Sequence, residues 1–126
     1  MPRKKAAVVP ELVPAPTRIP VPGGKVIDEY VGRVTTGTGQ VSVAHMVAPG
    51  GWTEPPQTPE FDEVTVVLRG AVLVEHAGGV LRVPAGQAVL TRAGERVRYA
   101  TEDGTEAEYV AVCLPAFAPE LAHREE

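Results

Sequence analysis

Short segments in which apolar and polar residues alternate run along the chain from position 25 to position 114. They are rich in Val, Thr and Tyr, and glycine-containing turns separate them every eight to twelve residues or so, which is typical of β-strands. We predict strands at positions 25–31, 40–47, 61–68, 71–76, 80–83, 88–91, 96–101 and 107–114. Strands this short bury their apolar faces as a sandwich, a jelly roll or a closed barrel. The pattern therefore predicts an all-β domain with little helix.

The two ends of the chain follow other patterns. Prolines at positions 2, 10, 14, 16, 20 and 22 predict an extended arm, because proline suits neither a helix interior nor a central strand. Apolar residues of this arm, such as Ile19 and Val21, indicate packing on a surface, and we favour a partner subunit. Positions 118–124 predict one or two helical turns after Pro115. We thus expect an arm at 1–24, a barrel at 25–117 and a tail at 118–126.

Composition and charge exclude several classes of function. A chain of 126 residues is expected to form one domain, and its net charge of -4 offers no cationic field for nucleic acid. No apolar run approaches the roughly 20 residues that cross a bilayer, so we expect no membrane partner. The start of the chain lacks the apolar core of a signal peptide, and the single cysteine, Cys113, suits an inert buried thiol. We therefore expect a cytoplasmic protein, with Arg3, Lys4 and Lys5 in a solvated terminus.

Two groups of positions in the middle of the chain have a recognisable spacing. The first comprises Gly51, Gln57, Pro59, Glu63 and Gly70, and the second Gly86, Arg92, Gly94, Val97 and Thr101. This spacing resembles the two motifs of the cupin superfamily over roughly positions 41–114. The phrases PEFDEVTVVLRG and AGQAVLTRAGERVRYAT are similar to those of small single-domain cupins, some related to the ethanolamine-utilisation type. The resemblance implies a cupin-type β-barrel, or double-stranded jelly roll, and a homodimer formed by sheet augmentation.

The cupin resemblance also implies a metal site, but its three ligand histidines are replaced here. Gln57, Pro59 and Val97 occupy their positions, and proline and valine side chains offer no lone pair to a metal. We therefore expect no obligatory cofactor. A divalent metal would need a rebuilt site, for which the candidate ligands are Gln57, Glu63 and His45, with Glu54 or Glu60 as further donors.

Alternation along the first motif strand places positions 57, 59, 61, 63, 65 and 67 on one face. The resemblance directs this face into the barrel, together with Val97, Tyr99 and Thr101. The opposite register would bury charged side chains such as Asp62 and Arg98, which is far less favourable.

Glu63 is the candidate catalytic residue, with Tyr99 beside it. Burial should raise the pKa of Glu63 and suit it to acid or base catalysis, although it could equally be a structural hydrogen-bond hub. Trp52 either forms the mouth of the barrel, together with Glu54, or packs by capping the core or contacting a second subunit, and we favour packing. His45 either lines the cavity or is an ordinary half-buried histidine. The candidate ligand-binding residues are Gln57, Trp52, Glu54, His45, Phe61, Thr65 and Val97.

These residues support three hypotheses for function. The first is a metal-independent acid/base enzyme, an isomerase or lyase, that binds a small organic molecule in its barrel and uses Glu63. The second is a non-catalytic module that binds or senses a small molecule. The third is a metal-dependent cupin enzyme, a dioxygenase or isomerase, with an atypical ligand set. The substrate stays open, because selectivity depends on the shape of the cavity.

Overall fold

A computed structural model of the protein describes residues 9–126, so Arg3, Lys4 and Lys5 lie outside the described residues. The described chain consists almost entirely of β-strands. In order these are β1 (Thr17–Ile19), β2 (Val26–Val31), β3 (Ser42–Ala48), β4 (Asp62–Arg69), β5 (Ala71–His76), β6 (Gly79–Pro84), β7 (Ala88–Thr91), β8 (Arg98–Thr101) and β9 (Ala107–Leu114), followed by the helix α1 (Pro119–Ala122).

The strands form two antiparallel sheets. One has six strands in the order β1-β2-β3-β9-β4-β7, and the other has three in the order β6-β5-β8. Buried side chains from both sheets meet in one core, for example Val67 of β4, Val72 of β5 and Tyr109 of β9. The predicted all-β jelly roll with little helix is confirmed. None of the helices described in residues 9–126 is long and apolar enough to cross a membrane.

Three predicted strands, at 71–76, 88–91 and 107–114, have the observed bounds. The others shift by one or two residues. β8 begins at Arg98 rather than at position 96, because Val97 forms an isolated bridge with Gln57 instead of joining the sheet.

The proline-rich segment contains a strand that the sequence did not predict. Thr17–Ile19 pairs antiparallel with β2 of the same chain, with Ile19 opposite Ile27. Pro16 and Pro20 flank this strand, which confines it to three residues at the edge of the sheet. The expectation that this part of the arm packs on a partner subunit is therefore corrected: residues 17–19 extend the sheet of their own chain.

The register of the first motif is the one that alternation predicts. Gln57, Phe61, Thr65 and Val67 are buried, whereas Leu68 on the opposite face is half exposed. This register directs the motif face into the barrel and brings Glu63 to the cavity described below.

The turn between β4 and β5 requires glycine. Gly70 has a φ of +73°, and a Cβ at this position would lie 2.2 Å from the carbonyl oxygen of Glu106. A larger residue would therefore have to displace the backbone before β9. The glycine at the end of the first motif thus fixes how closely β4 approaches the β8–β9 connection.

The tail returns across the barrel instead of leaving it. α1 is shorter than the predicted 118–124: it ends at Ala122, and the capping residue His123 has a φ of 50°. The Glu125 N–H then donates to the Pro56 carbonyl at 2.8 Å, and Gln57 forms an isolated bridge with Arg124. This return brings a cationic side chain to the motif face.

Candidate functional site

The barrel encloses a cavity of about 80 Å³. Ile27, Ala44, Met46 and Ala111, from β2, β3 and β9, form apolar walls. Five charged side chains line the same cavity, namely Lys25, Glu29, Glu54, Glu63 and Arg124. A neighbouring groove of about 190 Å³ shares Lys25, Glu54 and Arg124 with the cavity, so these three residues lie where the two spaces meet.

Glu63 is placed in the cavity by β4, opposite Thr91 of β7 and Cys113 of β9. Burial, together with the nearby carboxylate of Glu54, raises the pKa of Glu63 to about 7. Lys25 acts in the opposite direction but does not cancel the effect of burial. A carboxyl group of this kind is present in both protonation states near neutral pH.

Lys25, immediately before β2, extends its amine over aromatic rings. Its Nζ lies 4.2 Å from the centre of the Trp52 ring and 5.4 Å from that of Tyr109. Such contacts favour the ammonium form, as do the charges of Glu54 and Glu63. Burial nevertheless lowers the pKa of Lys25, since it is the largest influence on this amine.

Arg124 connects the tail to two motif-loop residues. Its Nε donates to Gln57 Oε1 at 3.2 Å, and its Nη2 lies 3.4 Å from Glu54 Oε2. The Glu54 side chain is only 9% exposed, and burial raises its pKa while Lys25 and Arg124 lower it. The two cations and two carboxylates thus form a compact charged cluster beside the apolar walls.

Two tyrosine hydroxyls belong to the site. Tyr99 donates to Thr91 Oγ1 at 3.0 Å, which holds its hydroxyl near Glu63, the neighbour of Thr91 in the sheet. Tyr109 also lines the cavity and is buried, but its hydroxyl has no hydrogen-bond partner among the described residues. A buried hydroxyl without a partner is costly, so a ligand that hydrogen-bonds to Tyr109 would recover that energy.

A further carboxylate, Glu29, lines the cavity but is held by its own loop. Its Oε2 accepts hydrogen bonds from the N–H and the hydroxyl of Thr35, both at 2.8 Å. These bonds hold the Glu29 carboxylate in place, so it has a structural role. Burial raises the pKa of Cys113 well above the ordinary range of thiols, which keeps this cavity residue protonated.

The structure brings five of the nine predicted site residues to the cavity. These are Glu54, Gln57, Phe61, Glu63 and Tyr99. Trp52, Thr65 and Val97 are buried but do not line it. Trp52 is part of the core and of the groove, as the packing interpretation predicts.

His45 is the predicted site residue that the structure places elsewhere. Ala44 and Met46 line the cavity, so alternation along β3 turns His45 to the opposite face. Its Nε2 there lies 2.7 Å from Glu108 Oε2, with the imidazole 31% exposed. The expectation of His45 as a ligand-binding or metal-binding residue is therefore corrected.

Sequence reasoning missed Lys25, Arg124 and Tyr109. A signal for Lys25 existed, because positions 25, 27 and 29 alternate with the outward residues of β2 and all reach the cavity. Tyr109 could likewise be assigned to the inner face of β9. Nothing in the local pattern predicts Arg124, since its position depends on the return of the tail.

A rebuilt metal site does not fit this cavity. Within residues 9–126, no group of three or more His, Cys, Asp or Glu side chains is arranged to hold a metal ion. Gln57 and Glu63 offer oxygen donors, but His45 faces away, and Lys25 and Arg124 supply positive charge where a cation would bind. The donor set thus disagrees with the metal-dependent hypothesis.

Comparison with known proteins agrees with this architecture. A Myxococcus xanthus protein named endoribonuclease YbeY is 49% identical over 107 residues, which are 85% of this chain but only 36% of that protein. A putative ethanolamine utilisation protein EutQ from Salmonella typhimurium has a TM-score of 0.63 at 22% identity, covering 74% of this chain and 71% of its own. KdgF from Halomonas sp. has a TM-score of 0.67 at 17% identity, and the match covers 80% of this chain and 89% of the KdgF chain.

The family assignment follows from the sequence match together with the fold. Residues 50–125 match the AraC-like ligand-binding domain, and the match spans the motif loop, Glu63, both tyrosines and Arg124. The structural neighbours, at identities this low, show the fold alone. The chain therefore belongs to the family of AraC-like ligand-binding domains and has the cupin-type double-stranded β-barrel.

Proposed function

We propose that the barrel binds a small organic molecule and that Glu63 exchanges protons with it in a metal-independent isomerase or lyase reaction. The observation that carries this proposal is the Glu63 carboxyl in the enclosed cavity, with a pKa of about 7 caused chiefly by burial. General acid/base catalysis is most effective when the pKa of the group is near the working pH.

The neighbours of Glu63 suit the orientation of a substrate. The Tyr99 hydroxyl is held by Thr91 and can hydrogen-bond to a bound molecule, while Gln57, which also lines the cavity, is held by Arg124. The apolar walls of β3 and β9 would exclude water from the reacting atoms. Under this proposal Tyr99 and Gln57 position the substrate and Glu63 transfers the proton.

A second candidate is a non-catalytic domain that senses a small molecule. The family match supports it, because the family is defined by ligand binding. Under this alternative the same residues recognise a ligand without turnover.

A solution experiment separates the two candidates. Small hydroxy acids, oxo acids and sugars would be ranked by the rise in unfolding temperature that they cause. Those that bind would be incubated in D₂O with the wild type, with Glu63→Gln, and with Glu95→Gln as a control that alters an exposed carboxylate. Proton NMR would follow deuterium uptake into the ligand.

The catalytic proposal expects deuterium uptake with the wild type and the control, and its loss with Glu63→Gln although binding persists. Binding without uptake by the wild type would instead support the sensing module. If Glu63→Gln exchanged protons as fast as the wild type, Glu63 could not be the catalytic acid or base.

We also propose that the chain forms a homodimer through the outer face of β4 and β7. Val66, Leu68 and Leu90 are 38%, 50% and 48% exposed there, and β7 is an edge strand. Light scattering on the purified chain should give twice the monomer mass, and Leu68→Glu with Leu90→Glu should reduce it to that of the monomer.

A further inference from the structure

We infer that Lys25 is a nucleophile, and that the cavity takes a small 2-oxo acid which Lys25 binds covalently as an imine. This inference rests on the proposed binding of a small molecule in the barrel, and it names the class of that molecule. Proton transfer by Glu63 and imine formation by Lys25 are separate properties, so each can fail alone.

The Lys25 amine lies at the cavity without a hydrogen bond or a close ion pair among the described residues. Within residues 9–126, Nζ has no hydrogen-bond partner and no carboxylate oxygen within 4.0 Å. It lies instead over the faces of Trp52 and Tyr109 while lining the cavity. Burial lowers the pKa of this amine, which increases the neutral fraction that attacks a carbonyl.

The chemistry balances with the groups present. Lys25 reacts as the neutral amine, and its nitrogen lone pair bonds to the carbonyl carbon. The carbonyl oxygen takes up a proton from protonated Glu63, which recovers one from the nitrogen. The second proton of the nitrogen passes to the same oxygen, and the C–O bond breaks to release water as the C=N bond forms. The products are an imine and one water molecule, with no oxidant or reductant needed. Glu54, which also lines the cavity, can accept the second proton on its way to the departing oxygen.

The size and polarity of the cavity favour a small oxo acid. A volume of about 80 Å³ holds roughly six groups the size of a water molecule, which corresponds to about six non-hydrogen atoms. Arg124 can bind the carboxylate of such a ligand. The Tyr109 hydroxyl, which has no hydrogen-bond partner among the described residues, can donate to an oxygen of the ligand.

The competing interpretation is that Lys25 is only a counter-ion that offsets the charges of Glu54 and Glu63. Both interpretations predict that Lys25→Met weakens binding of an anion. They differ in whether a covalent bond forms, so the decisive measurement has to detect that bond.

The chain offers an internal control for such a measurement, because its only lysines are Lys4, Lys5 and Lys25. The full chain would be incubated with glyoxylate or pyruvate and sodium cyanoborohydride, which reduces an imine to a stable secondary amine. Acetaldehyde would serve as the probe that lacks a carboxylate. Trypsin does not cleave after a modified lysine, so labelling of Lys25 leaves the peptide 19–33 intact for mass spectrometry.

We expect labelling of Lys25 to exceed that of Lys4 or Lys5 at pH 7.5, because burial lowers the pKa of Lys25 and so increases its neutral fraction. The oxo acids should label Lys25 faster than acetaldehyde does. Lys25→Arg should lose the label, whereas Lys4→Arg with Lys5→Arg should keep it. Equal labelling of the three lysines, or none at Lys25 with all three probes, would overturn the inference.

Failure of this inference is distinguishable from failure of the proposed function. If Lys25 stays unlabelled while Glu63 titrates near pH 7 and pyruvate raises the unfolding temperature, the imine alone is refuted. If Lys25 is labelled while Glu63 titrates as an ordinary glutamate, the acid/base role fails and the imine stands.

Discussion

The raised pKa of Glu63 makes folding stability depend on pH in a way that one substitution should remove. In the unfolded chain Glu63 loses its proton near its ordinary pKa of 4.5, whereas in the barrel it keeps the proton until about pH 7. Between these values the folded state binds more protons than the unfolded state, so stability falls as pH rises. The favourable contribution is complete below pH 4.5 and is lost above about pH 7.

The magnitude follows from the size of the shift. A shift from 4.5 to about 7 is about 2.5 units, and one unit corresponds to about 1.4 kcal/mol, which gives about 3 kcal/mol. Glu63→Gln replaces the carboxyl by a neutral group of similar shape and abolishes this titration. Relative to the wild type, the variant should therefore gain up to about 3 kcal/mol in free energy of unfolding between pH 4.5 and pH 7.5.

Urea unfolding at several pH values measures this difference. Trp52 is the single tryptophan and is buried, so its fluorescence reports on the core. Glu95→Gln is the control, because it removes an exposed carboxylate outside the cavity and its curve should run parallel to that of the wild type. If the curves for Glu63→Gln and the wild type were also parallel from pH 4.5 to pH 7.5, the burial argument for Glu63 would be refuted. A carboxyl NMR titration gives the pKa of Glu63 directly.

The remaining predictions concern other parts of the site. Tyr99→Phe removes the hydrogen bond to Thr91 and should cost about 1 kcal/mol in urea unfolding, with a larger loss in ligand affinity than in stability. Arg124→Gln should raise the pKa of Glu54 in an NMR titration, because the guanidinium near that carboxylate is lost; an unchanged value would contradict the contact. Phe61→Ala should destabilise the chain by about 3–5 kcal/mol, since its ring is almost wholly buried. Elemental analysis of protein purified without added metal should find less than one metal ion per chain. One ion per chain would contradict the conclusion that the side chains of the cavity do not suit a metal.

Most of the strands could be predicted from the alternation of apolar and polar residues, because alternation is a local property of each segment. The motif strand, for example, places Phe61, Thr65 and Val67 on its buried face, as expected from a period of two. Glycine spacing identified the turns equally well, since a residue such as Gly70 is required by its own backbone conformation and close contacts. The strand at 17–19 was missed because the prolines around it outweigh its weak local pattern.

The candidate site was predicted only in part, and the reason is physical. Glu63 and Gln57 could be assigned because they lie on one strand and its approach, where alternation settles the direction of a side chain. His45 was ambiguous because valines flank it on a face that is only half buried. Lys25 was overlooked because a lysine at the start of a predicted strand is ordinarily solvated.

The sequence alone determined the all-β class, the inward register of the first motif and the loss of the histidines that would bind a metal. Each of these depends on residue type and spacing within a short segment. The tertiary structure alone decided that Lys25, Glu54 and Arg124 meet around Glu63, since they come from before β2, from the motif loop and from the returning tail. Their mutual pKa shifts depend on distances across the barrel, and no local pattern encodes such distances.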